Sequence, residues 1–517
     1  MISESESDSI VSPYSCVQCR VSKKKCDRIE PACTGCARKN LQCSYPRRRK
    51  QRRPNETTIA TYATPSNNGL DPESRMAVQV LHPVLQPTVT TAADQLLAER
   101  FMDPGLFNFV QLKLPKLDLK HLISEQVRAL VGGVTGIQAI STSFFQTVHS
   151  WMPIVCKHDF ARFLIKRITE KEAELFLLVL SMKLSGSVVS DARTEFYRTL
   201  KQYSARVEQS GVMSVMVLQA TVLIALYEMG HAIYPDAYFS VSQCARYGAA
   251  LGIDKTIASR GTDVGKWHNL EEARRVWWAV IVLDRFMNLS DPSRQLVTTD
   301  PDSTSFLPID DAEWDSGNHD PETVFTLGSA ISMQLGRFAR FAQAAHLLSQ
   351  VLQQAADNSS DTRQIKKTIF SLVTICRIES EMRQLELCTQ MALCYSGILV
   401  LDDPTFTLYE TDQVCNEGLS SEATLILQSA LKMTLAFADN VFTKSCCLIS
   451  PFLPFLIYRV ALMCLKSNVN DQMASPRDRP NGEKMKLALQ YLRHRWLAAD
   501  IYLSLVNRFE TLQIIQT

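Results

Sequence analysis

Six of the fifteen cysteines of this 517-residue chain lie within residues 16 to 43, and they form a repeat. The unit C-x2-C-x6-C occurs twice, and the second copy follows the first at a distance of seventeen residues. The six are Cys16, Cys19, Cys26, Cys33, Cys36 and Cys43. A C-x2-C pair lets two thiolates reach one ion from a single turn, so the repeat predicts a metal site.

The start of the chain bears on the chemistry of these sulfurs. Residues 1 to 15, MISESESDSIVSPYS, are acidic and serine-rich, without the basic start and apolar stretch of a secretory signal. We therefore expect a reducing compartment, where clustered cysteines bind metal more often than they form disulfides. Three disulfides in a secreted chain are the alternative.

The number of available sulfur ligands predicts how many metal ions bind. Zinc in structural sites takes four ligands in a tetrahedron. Two zinc ions need eight ligand positions, whereas six thiolates supply six, so two sulfurs must each bind both metals. A single site made by the two C-x2-C pairs, Cys16-Cys19 and Cys33-Cys36, is a further alternative. The regular spacing favours two Zn²⁺ per chain, because the single site leaves Cys26 and Cys43 without a role.

Residues 16 to 43 resemble the fungal binuclear zinc cluster (Zn2Cys6) DNA-binding domain. The resemblance covers the six cysteines and also Arg20, Lys23, Lys25, the Cys26-Asp27 pair, Pro31 and the run PACTGC. It implies that Cys16 and Cys33 are the bridging sulfurs. It further implies that Cys19 and Cys26 complete one zinc site, that Cys36 and Cys43 complete the other, and that Pro31 turns the loop between the halves.

Positive charge is concentrated around this module. From Cys16 to Arg53 there are thirteen Lys or Arg residues against Asp27 and Glu30, a net of +11, while the whole chain carries only +2. A basic run is often no more than a solvated surface. One this dense, joined to a metal-stabilised module, indicates binding to nucleic acid.

The resemblance also implies roles for individual cations. In the family, a short helix after the second cysteine enters the major groove and reads a CGG triplet, and lysine suits guanine because O6 and N7 both accept hydrogen bonds. Lys23 occupies the base-reading position, and Lys24 and Lys25 lie beside it. Ser22 departs from the family, which commonly has a second basic residue there. Phosphate contacts, which position a domain without reading sequence, are expected from Arg20, Arg38 and Lys39.

Composition changes abruptly after the module and divides the chain. We expect residues 1–15 to form an acidic Ser-rich tail, 16–46 the DNA-binding domain, 47–93 a basic and Pro-interrupted flexible linker, and 94–517 an all-α regulatory domain. The linker opens on RRRKQRRP, whose Arg47, Arg48 and Arg49 are predicted to bind DNA and to direct the chain to the nucleus. Prolines interrupt residues 54 to 93, so no coiled coil is predicted there and the oligomeric state stays open.

The pattern of apolar residues predicts helices throughout the remainder of the chain. The predicted fold class is therefore a small zinc-stapled N-terminal module with two short helices, followed by a linker and a large all-α domain. In NLEEARRVWWAVIVLDRFMNLS, Asn269 and Glu272 suggest a capping box. Apolar residues on all sides of the same segment predict a buried helix, with Asp284 and Arg285 as an internal ion pair. Residues 143–155, 218–253, 271–285 and 307–315 resemble the fungal-specific transcription factor regulatory domain, an all-α domain that controls activator output.

The sequence favours neither catalysis nor membrane insertion. LPIDDAEWD contains Asp310, Asp311 and Asp315 and faintly resembles the Mg²⁺ motif of all-α terpene synthases, but the nearest second motif, residues 470–478, lacks the required Ser and Glu. The nine histidines are scattered, so no enzyme is predicted. The apolar stretch 446–465 contains Arg459 and two prolines, which favours a buried helix over a membrane span. The nine cysteines outside the repeat, including Cys446 and Cys447, are predicted to be buried small hydrophobes.

These patterns together predict a DNA-binding transcription regulator. The resemblance implies control of RNA polymerase II genes through CGG-containing sites on double-stranded DNA, with the transcription machinery as partner, no membrane, and a metabolic gene cluster, secondary metabolism in particular, as target. An interaction or effector-sensing protein that uses the zinc module only for docking is the alternative.

Overall fold

The structure is a computed structural model. It describes residues 14–22, 24–45, 91–260, 267–317, 324–329, 335–357, 362–383, 387–401, 428–429, 431–436, 448–470 and 478–516. The chain forms two compact units, Met1–Gln86 and Pro87–Thr517. No strand occurs in the described residues, where an isolated bridge joins Phe306 and Thr326. The predicted fold class, a cysteine-rich module followed by a large all-α domain, is confirmed.

The described part of the first unit contains two short helices, α1 (Val17–Val21) and α2 (Thr34–Ala37). Each helix begins after a repeat cysteine whose side chain caps it: the Cys16 sulfur accepts from the Cys19 N–H, and the Cys33 sulfur accepts from the Cys36 N–H. The repeated sequence therefore produces a repeated local structure. Pro31 lies in the loop between the two helices, as the family resemblance implied.

The second unit is built from helices in sequence order. They are α3 (Ala92–Met102), α4 (Pro104–Phe109), α5 (Glu125–Val131), α6 (Gly133–Gln146), α7 (Lys157–Glu170), α8 (Ala173–Gly186), α9 (Glu195–Gln209), α10 (Val215–Gly230), α11 (Asp236–Leu251), α12 (Trp267–Met287), α13 (Asp311–Ser316), α14 (Arg337–Ala356), α15 (Arg363–Arg383), α16 (Cys388–Leu401), α17 (Leu453–Asn470), α18 (Asp478–Leu492) and α19 (Ala498–Gln516). Short 3-10 helices cover Lys120–Leu122, Val148–Ser150 and Ile253–Ala258.

Helices that are apolar on all sides form the centre of this unit. Every residue of α10 from Val217 to Gly230 is buried, and α10 packs against α8, α11 and α12. In α12 the run Val276 to Leu283 is buried as well, as its sequence predicted. Further along the chain, α14 packs on α16, and α17 packs on α18 and α19. No helix in the described part of the chain combines the length and apolar character that crossing a membrane requires.

The predicted capping box at the start of α12 is wrong. The helix begins at Trp267, before Asn269, so Asn269 is not its N-cap. The Glu272 carboxylate instead accepts hydrogen bonds from the Cys156 backbone N–H at 3.0 Å and from the Gln219 side-chain amide at 2.9 Å. Hydrogen-bond donors from two distant segments therefore bind the Glu272 carboxylate, which the sequence pattern had assigned to the start of α12.

The predicted ion pair inside α12 is confirmed. The Arg285 guanidinium donates to the Asp284 carboxylate at 2.6 Å, and both side chains are buried. Asp284 also accepts from the backbone N–H of Thr298 at 2.9 Å, and Arg285 also pairs with Asp300 at 2.7 Å. The two charges are therefore satisfied within the protein, as burial requires.

Candidate metal centre and nucleic-acid interface

The six repeat cysteines converge into two overlapping groups. One group is Cys16, Cys19, Cys26 and Cys33, and the other is Cys16, Cys33, Cys36 and Cys43; within each group the sulfurs lie within 4.8 Å of one another. Cys16 and Cys33 belong to both groups. Four sulfurs can surround one ion, so the arrangement offers two tetrahedral sites that share two ligands.

Distances between the sulfurs fit zinc ligation. The Cys16 sulfur lies 3.7 Å from those of Cys33 and Cys36, and the Cys19 sulfur lies 3.6 Å from that of Cys33. A zinc–sulfur bond of ~2.3 Å in a tetrahedron separates neighbouring sulfurs by ~3.8 Å. A disulfide requires ~2.05 Å, and all six cysteines are free. The distances between the sulfurs therefore exclude the disulfide alternative. The single four-cysteine site is excluded as well, because Cys26 and Cys43 belong to the two groups of sulfurs.

Backbone hydrogen bonds to sulfur repeat between the halves. The Cys16 N–H donates to the Cys26 sulfur at 3.5 Å, and its counterpart, the Cys33 N–H, donates to the Cys43 sulfur at 3.4 Å. The two N-capping bonds, onto the Cys16 and Cys33 sulfurs, are both 3.4 Å long. Such donors orient a thiolate and stabilise its charge, so they would hold the ligands in place around metal.

Burial makes an opposite charge necessary at the centre of the cluster. It raises the pKa of the Cys16 thiol far above its usual value and that of Cys33 to about 12. At the edge, the backbone N–H of Cys16 lowers the pKa of Cys26 to about 7. Thiolates at the two shared positions are thus costly without a cation, and bound Zn²⁺ supplies that charge. The binuclear cluster accordingly binds two zinc ions.

Contacts outside the cysteine repeat close the module. The Tyr45 hydroxyl donates to the Ile29 carbonyl at 2.8 Å, and the Val17 N–H donates to the Ser44 carbonyl at 2.9 Å. The Asp27 carboxylate accepts from the Thr34 N–H at 3.0 Å, and hydrogen bonding from the Thr34 side chain, together with this N–H, lowers the pKa of Asp27. Sequence reasoning missed the part played by Tyr45, for which the only signal is an aromatic residue two positions after the last repeat cysteine.

Five of the cations predicted to contact DNA lie in the described residues of this module. Those in the described residues are all exposed: Arg20, Lys24, Lys25, Arg38 and Lys39. Contact with the Lys24 side chain lowers the pKa of Lys39, so these two cations, one from each half, lie side by side. Arg28 is a further exposed cation that the sequence reasoning did not select. Lys23, Arg47, Arg48 and Arg49 lie outside the described residues.

The aspartates of LPIDDAEWD all have partners within the protein. Asp310 caps α13 and pairs with Arg383 at 3.1 Å. Asp311 pairs with the buried Arg275 at 2.8 Å, and Asp315 accepts from His149 at 2.9 Å. These carboxylates hold helices together, and the groups suited to a metal among the described residues are formed by the repeat cysteines.

Cysteines outside the repeat behave mainly as core residues. Cys156, Cys244, Cys376, Cys394 and Cys464 are buried, whereas Cys388 is half-buried. Cys415, Cys446 and Cys447 lie outside the described residues. The prediction of buried small hydrophobes therefore holds for the five buried positions.

Comparison with known proteins identifies the class. Residues 14–52 match the fungal Zn(2)-Cys(6) binuclear cluster domain, and residues 142–433, more than half of the chain, match the fungal specific transcription factor domain. The chain belongs to the fungal binuclear zinc cluster transcription factors, a class of DNA-binding transcription regulators.

Two named fungal proteins resemble this chain. Transcription factor BOA15 of Botryotinia fuckeliana (strain B05.10) is 36% identical over 136 residues, which cover 26% of this chain and 76% of that protein. Pigment biosynthesis transcriptional activator pigB of Monascus ruber is 24% identical over 331 residues, which cover 58% of this chain and 56% of that protein. The second match thus spans little more than half of either protein. Members of such a class are not normally enzymes.

Proposed function

We propose that this chain is a sequence-specific regulator of RNA polymerase II genes that reads CGG-type triplets in the nucleus. The observation that carries the proposal is the convergence of six thiolates into two sites that share Cys16 and Cys33, beneath a surface of exposed cations. The ligands are occupied by metal, so the exposed lysines and arginines between them are the groups free to contact DNA.

Zinc has a structural role in this proposal, because it holds the reading loop. Cys19 and Cys26 belong to one ligand group and flank the run Lys23 to Lys25. The Lys24 N–H also donates to the Cys19 carbonyl at 2.9 Å, which ties the run back to α1. A loop fixed at both ends presents its side chains in a defined arrangement, which base readout requires. Lys23 is the residue proposed to donate to guanine.

Phosphate contacts are assigned to cations around this loop. Lys24 and Lys39 lie side by side although they come from different halves of the repeat. Two adjacent ammonium groups repel each other, and a phosphate oxygen placed between them replaces repulsion with attraction. Arg20 and Arg38 are the other proposed phosphate ligands. Arg47, Arg48 and Arg49 extend the contact along the DNA backbone.

The remaining parts of the chain take the roles expected of this class. We assign residues 1–15 as a tail, 16–46 as the DNA-binding domain, 47–93 as the linker and 94–517 as the regulatory domain that acts on the transcription machinery. The basic run after residue 46 supports entry into the nucleus. The name of pigB, a pigment biosynthesis activator, supports a metabolic gene cluster as the target.

Selection from a pool of randomised duplexes tests the proposal. The full-length chain loaded with zinc should enrich duplexes containing CGG. Cys19→Ala, which removes a ligand at the start of the reading loop, should abolish enrichment, whereas Cys156→Ala, a buried cysteine of the helical unit, should leave it unchanged. Binding without enrichment of any motif would overturn sequence-specific readout and favour the docking role.

A further inference from the structure

Each half of the cysteine module is bonded to the other half at the residue that follows its third cysteine. In the first half, the Asp27 carboxylate accepts from the N–H of Thr34, the first residue of α2, at 3.0 Å. In the second half, the Ser44 carbonyl accepts from the N–H of Val17, the first residue of α1, at 2.9 Å. Val17 and Thr34 are seventeen positions apart, as are Asp27 and Ser44, so both bonds follow the sequence repeat.

The two halves differ at the next position. In the first half this position is occupied by Arg28, whose side chain is exposed. In the second half the equivalent residue is Tyr45, which is half-buried and packs against the buried cysteines of the cluster. The Tyr45 hydroxyl donates to the Ile29 carbonyl at 2.8 Å, in the loop that joins the halves. This bond departs from the symmetry of the module.

The position of Cys43 in the chain explains why it needs such a bond. Cys26 lies between Cys19 and Cys33, so the chain leads to another ligand on both sides of it. Cys43 is the last of the six, and the chain after it leads to no further cysteine of the repeat. Segments at the end of a folded unit fray unless they are tied down. The Tyr45 hydroxyl supplies such a restraint two residues after Cys43.

A loosened Cys43 would affect the two groups of sulfurs unequally. We name each group after its half-buried member: the Cys43 group consists of Cys16, Cys33, Cys36 and Cys43, and the Cys26 group consists of Cys16, Cys19, Cys26 and Cys33. Release of the Cys43 sulfur leaves three ligands in the Cys43 group. The Cys26 group keeps the four ligands that a structural zinc site requires. A restraint on Cys43 therefore acts on one of the two sites.

We propose that Tyr45 is a positioning residue that holds the Cys43 sulfur in place and thereby sets how long the Cys43 group retains zinc. The hydroxyl bond to Ile29 fixes the backbone two residues beyond the ligand, and the ring covers part of the cluster. Partners outside the ligand set orient the ligands, and their loss weakens metal binding. The role concerns zinc retention and does not depend on how the chain reads DNA.

Release of zinc to excess pyridylazoresorcinol, a coloured chelator, tests the proposal on the full-length, zinc-loaded chain. Tyr45→Phe keeps the ring and removes the hydroxyl, so one of the two ions should leave roughly two- to tenfold faster than from the wild type, as the loss of one hydrogen bond predicts. The other ion should leave at the wild-type rate. Tyr14→Phe is the matched control: Tyr14 is 48% exposed, two residues before the first ligand, and its variant should release both ions as the wild type does.

Alkylation with iodoacetamide, followed by peptide mass spectrometry, shows which site opens. When one ion per chain has left Tyr45→Phe, Cys36 and Cys43 should be modified while Cys19 and Cys26 stay protected. A variant that binds one ion from the start, with Cys36 and Cys43 modified, would also support the proposal.

Three results would overturn the proposal. The first is release of both ions from Tyr45→Phe at wild-type rates. The second is modification of Cys19 and Cys26 before the other two unshared cysteines. The third is faster release of both ions with all six cysteines modified together, because this would show a general loosening of the module.

Discussion

The sulfurs of Cys16 and Cys33 lie 3.7 Å apart and each belongs to both four-cysteine groups. The two residues are seventeen positions apart, which is the displacement of the sequence repeat. Each caps the first turn of its own helix and has a second cysteine three residues later. The internal symmetry of the sequence thus becomes a symmetric cluster of sulfurs, in which the two equivalent positions belong to both four-cysteine groups.

Zinc stoichiometry should follow directly from this sharing. Metal analysis of the wild-type chain should find two zinc ions. Cys16→Ala removes a ligand from both sites and should leave no stably bound zinc, whereas Cys19→Ala removes a ligand from one site and should retain about one ion. Chelation should unfold the module, since the metal supplies most of its folding energy.

Controls separate this effect from the general loss of a thiol. Cys244→Ala, which removes a buried thiol from the helical unit, should keep two zinc ions. A wild-type chain with one zinc would contradict the shared-ligand arrangement. Equal zinc content in Cys16→Ala and Cys19→Ala would contradict the distinction between shared and unshared positions.

Substitution of the base-reading lysine and substitution of the phosphate-binding arginines should change DNA binding in different ways. Lys23→Ala should lose ~1–3 kcal/mol of discrimination between the CGG site and a mutated triplet, because a donor to guanine is gone. Neutralising Arg47, Arg48 and Arg49 together should weaken binding to all duplexes and lower the slope of log K against log salt by about 3. Fluorescence anisotropy over a salt series measures both, and equal losses on specific and random duplexes in both variants would refute the assignment.

The cysteine module and the helical class were predictable because their signals are local. Ligand spacing, the shift of seventeen residues and the run of apolar residues in α12 are all read within short windows of sequence. The Asp284–Arg285 pair was predictable for the same reason, since adjacent opposite charges inside an apolar helix must be satisfied there or nearby.

Contacts across long sequence separations were not predictable. Glu272 accepts from the N–H of Cys156, more than a hundred residues earlier, although its local pattern indicated a cap. Asp311 pairs with Arg275 from another helix, which the pattern of LPIDDAEWD does not reveal. Such bonds arise from the packing of helices that are distant in sequence. A single sequence contains no periodicity or residue spacing that indicates them.

Arg275 should be a large single contributor to the stability of the helical unit. It is fully buried and donates to Glu271 at 2.9 Å and to Asp311 at 2.8 Å, and it lies 4.1 Å from the centre of the Trp314 ring. Arg275→Gln removes the guanidinium shared by two buried carboxylates and leaves Glu271 with Arg274 as its remaining cation among the described residues, so it should cost ~3–5 kcal/mol. Urea unfolding followed by tryptophan fluorescence measures this change, because all six tryptophans lie after residue 150.

An exposed arginine provides the comparison for this variant. Arg198→Gln, on the exposed side of α9, should change the free energy of unfolding by less than about 0.5 kcal/mol. A loss below 1 kcal/mol for Arg275→Gln would show that water or rearranged side chains replace the missing guanidinium. The buried pairs would then not be the source of stability inferred here.

His231 should make the helical unit sensitive to acid. Burial lowers its pKa from 6.5 to about 3, and its ring packs 4.3 Å from Tyr227 and 5.4 Å from Trp496. Between these pH values the unfolded chain binds a proton at His231 that the folded chain does not. The free energy of unfolding should therefore fall as pH falls through this window, by up to about 1.4 kcal/mol per pH unit.

Urea titrations at pH 7, 6 and 5 measure this dependence. His231→Asn keeps an acceptor near the Leu497 N–H, loses the ring contacts, and should be less stable at pH 7 but flatter in its pH dependence. His121→Asn, which alters an exposed histidine, should reproduce the wild-type slope. An unchanged slope in His231→Asn would assign the acid sensitivity to other groups.

The fragment of residues 1 to 90 should bind DNA as a monomer. A coiled coil needs apolar residues at heptad positions over three or four heptads, and Pro65, Pro72, Pro83 and Pro87 interrupt residues 54 to 93. The fragment also ends before the helical domain, where any dimerisation is expected to reside. Sedimentation should therefore find one fragment on a duplex with one CGG site and independent binding of two fragments to a duplex with two sites, at every spacing tried. Cooperative binding with a sharp spacing optimum would reveal a dimer element within the linker.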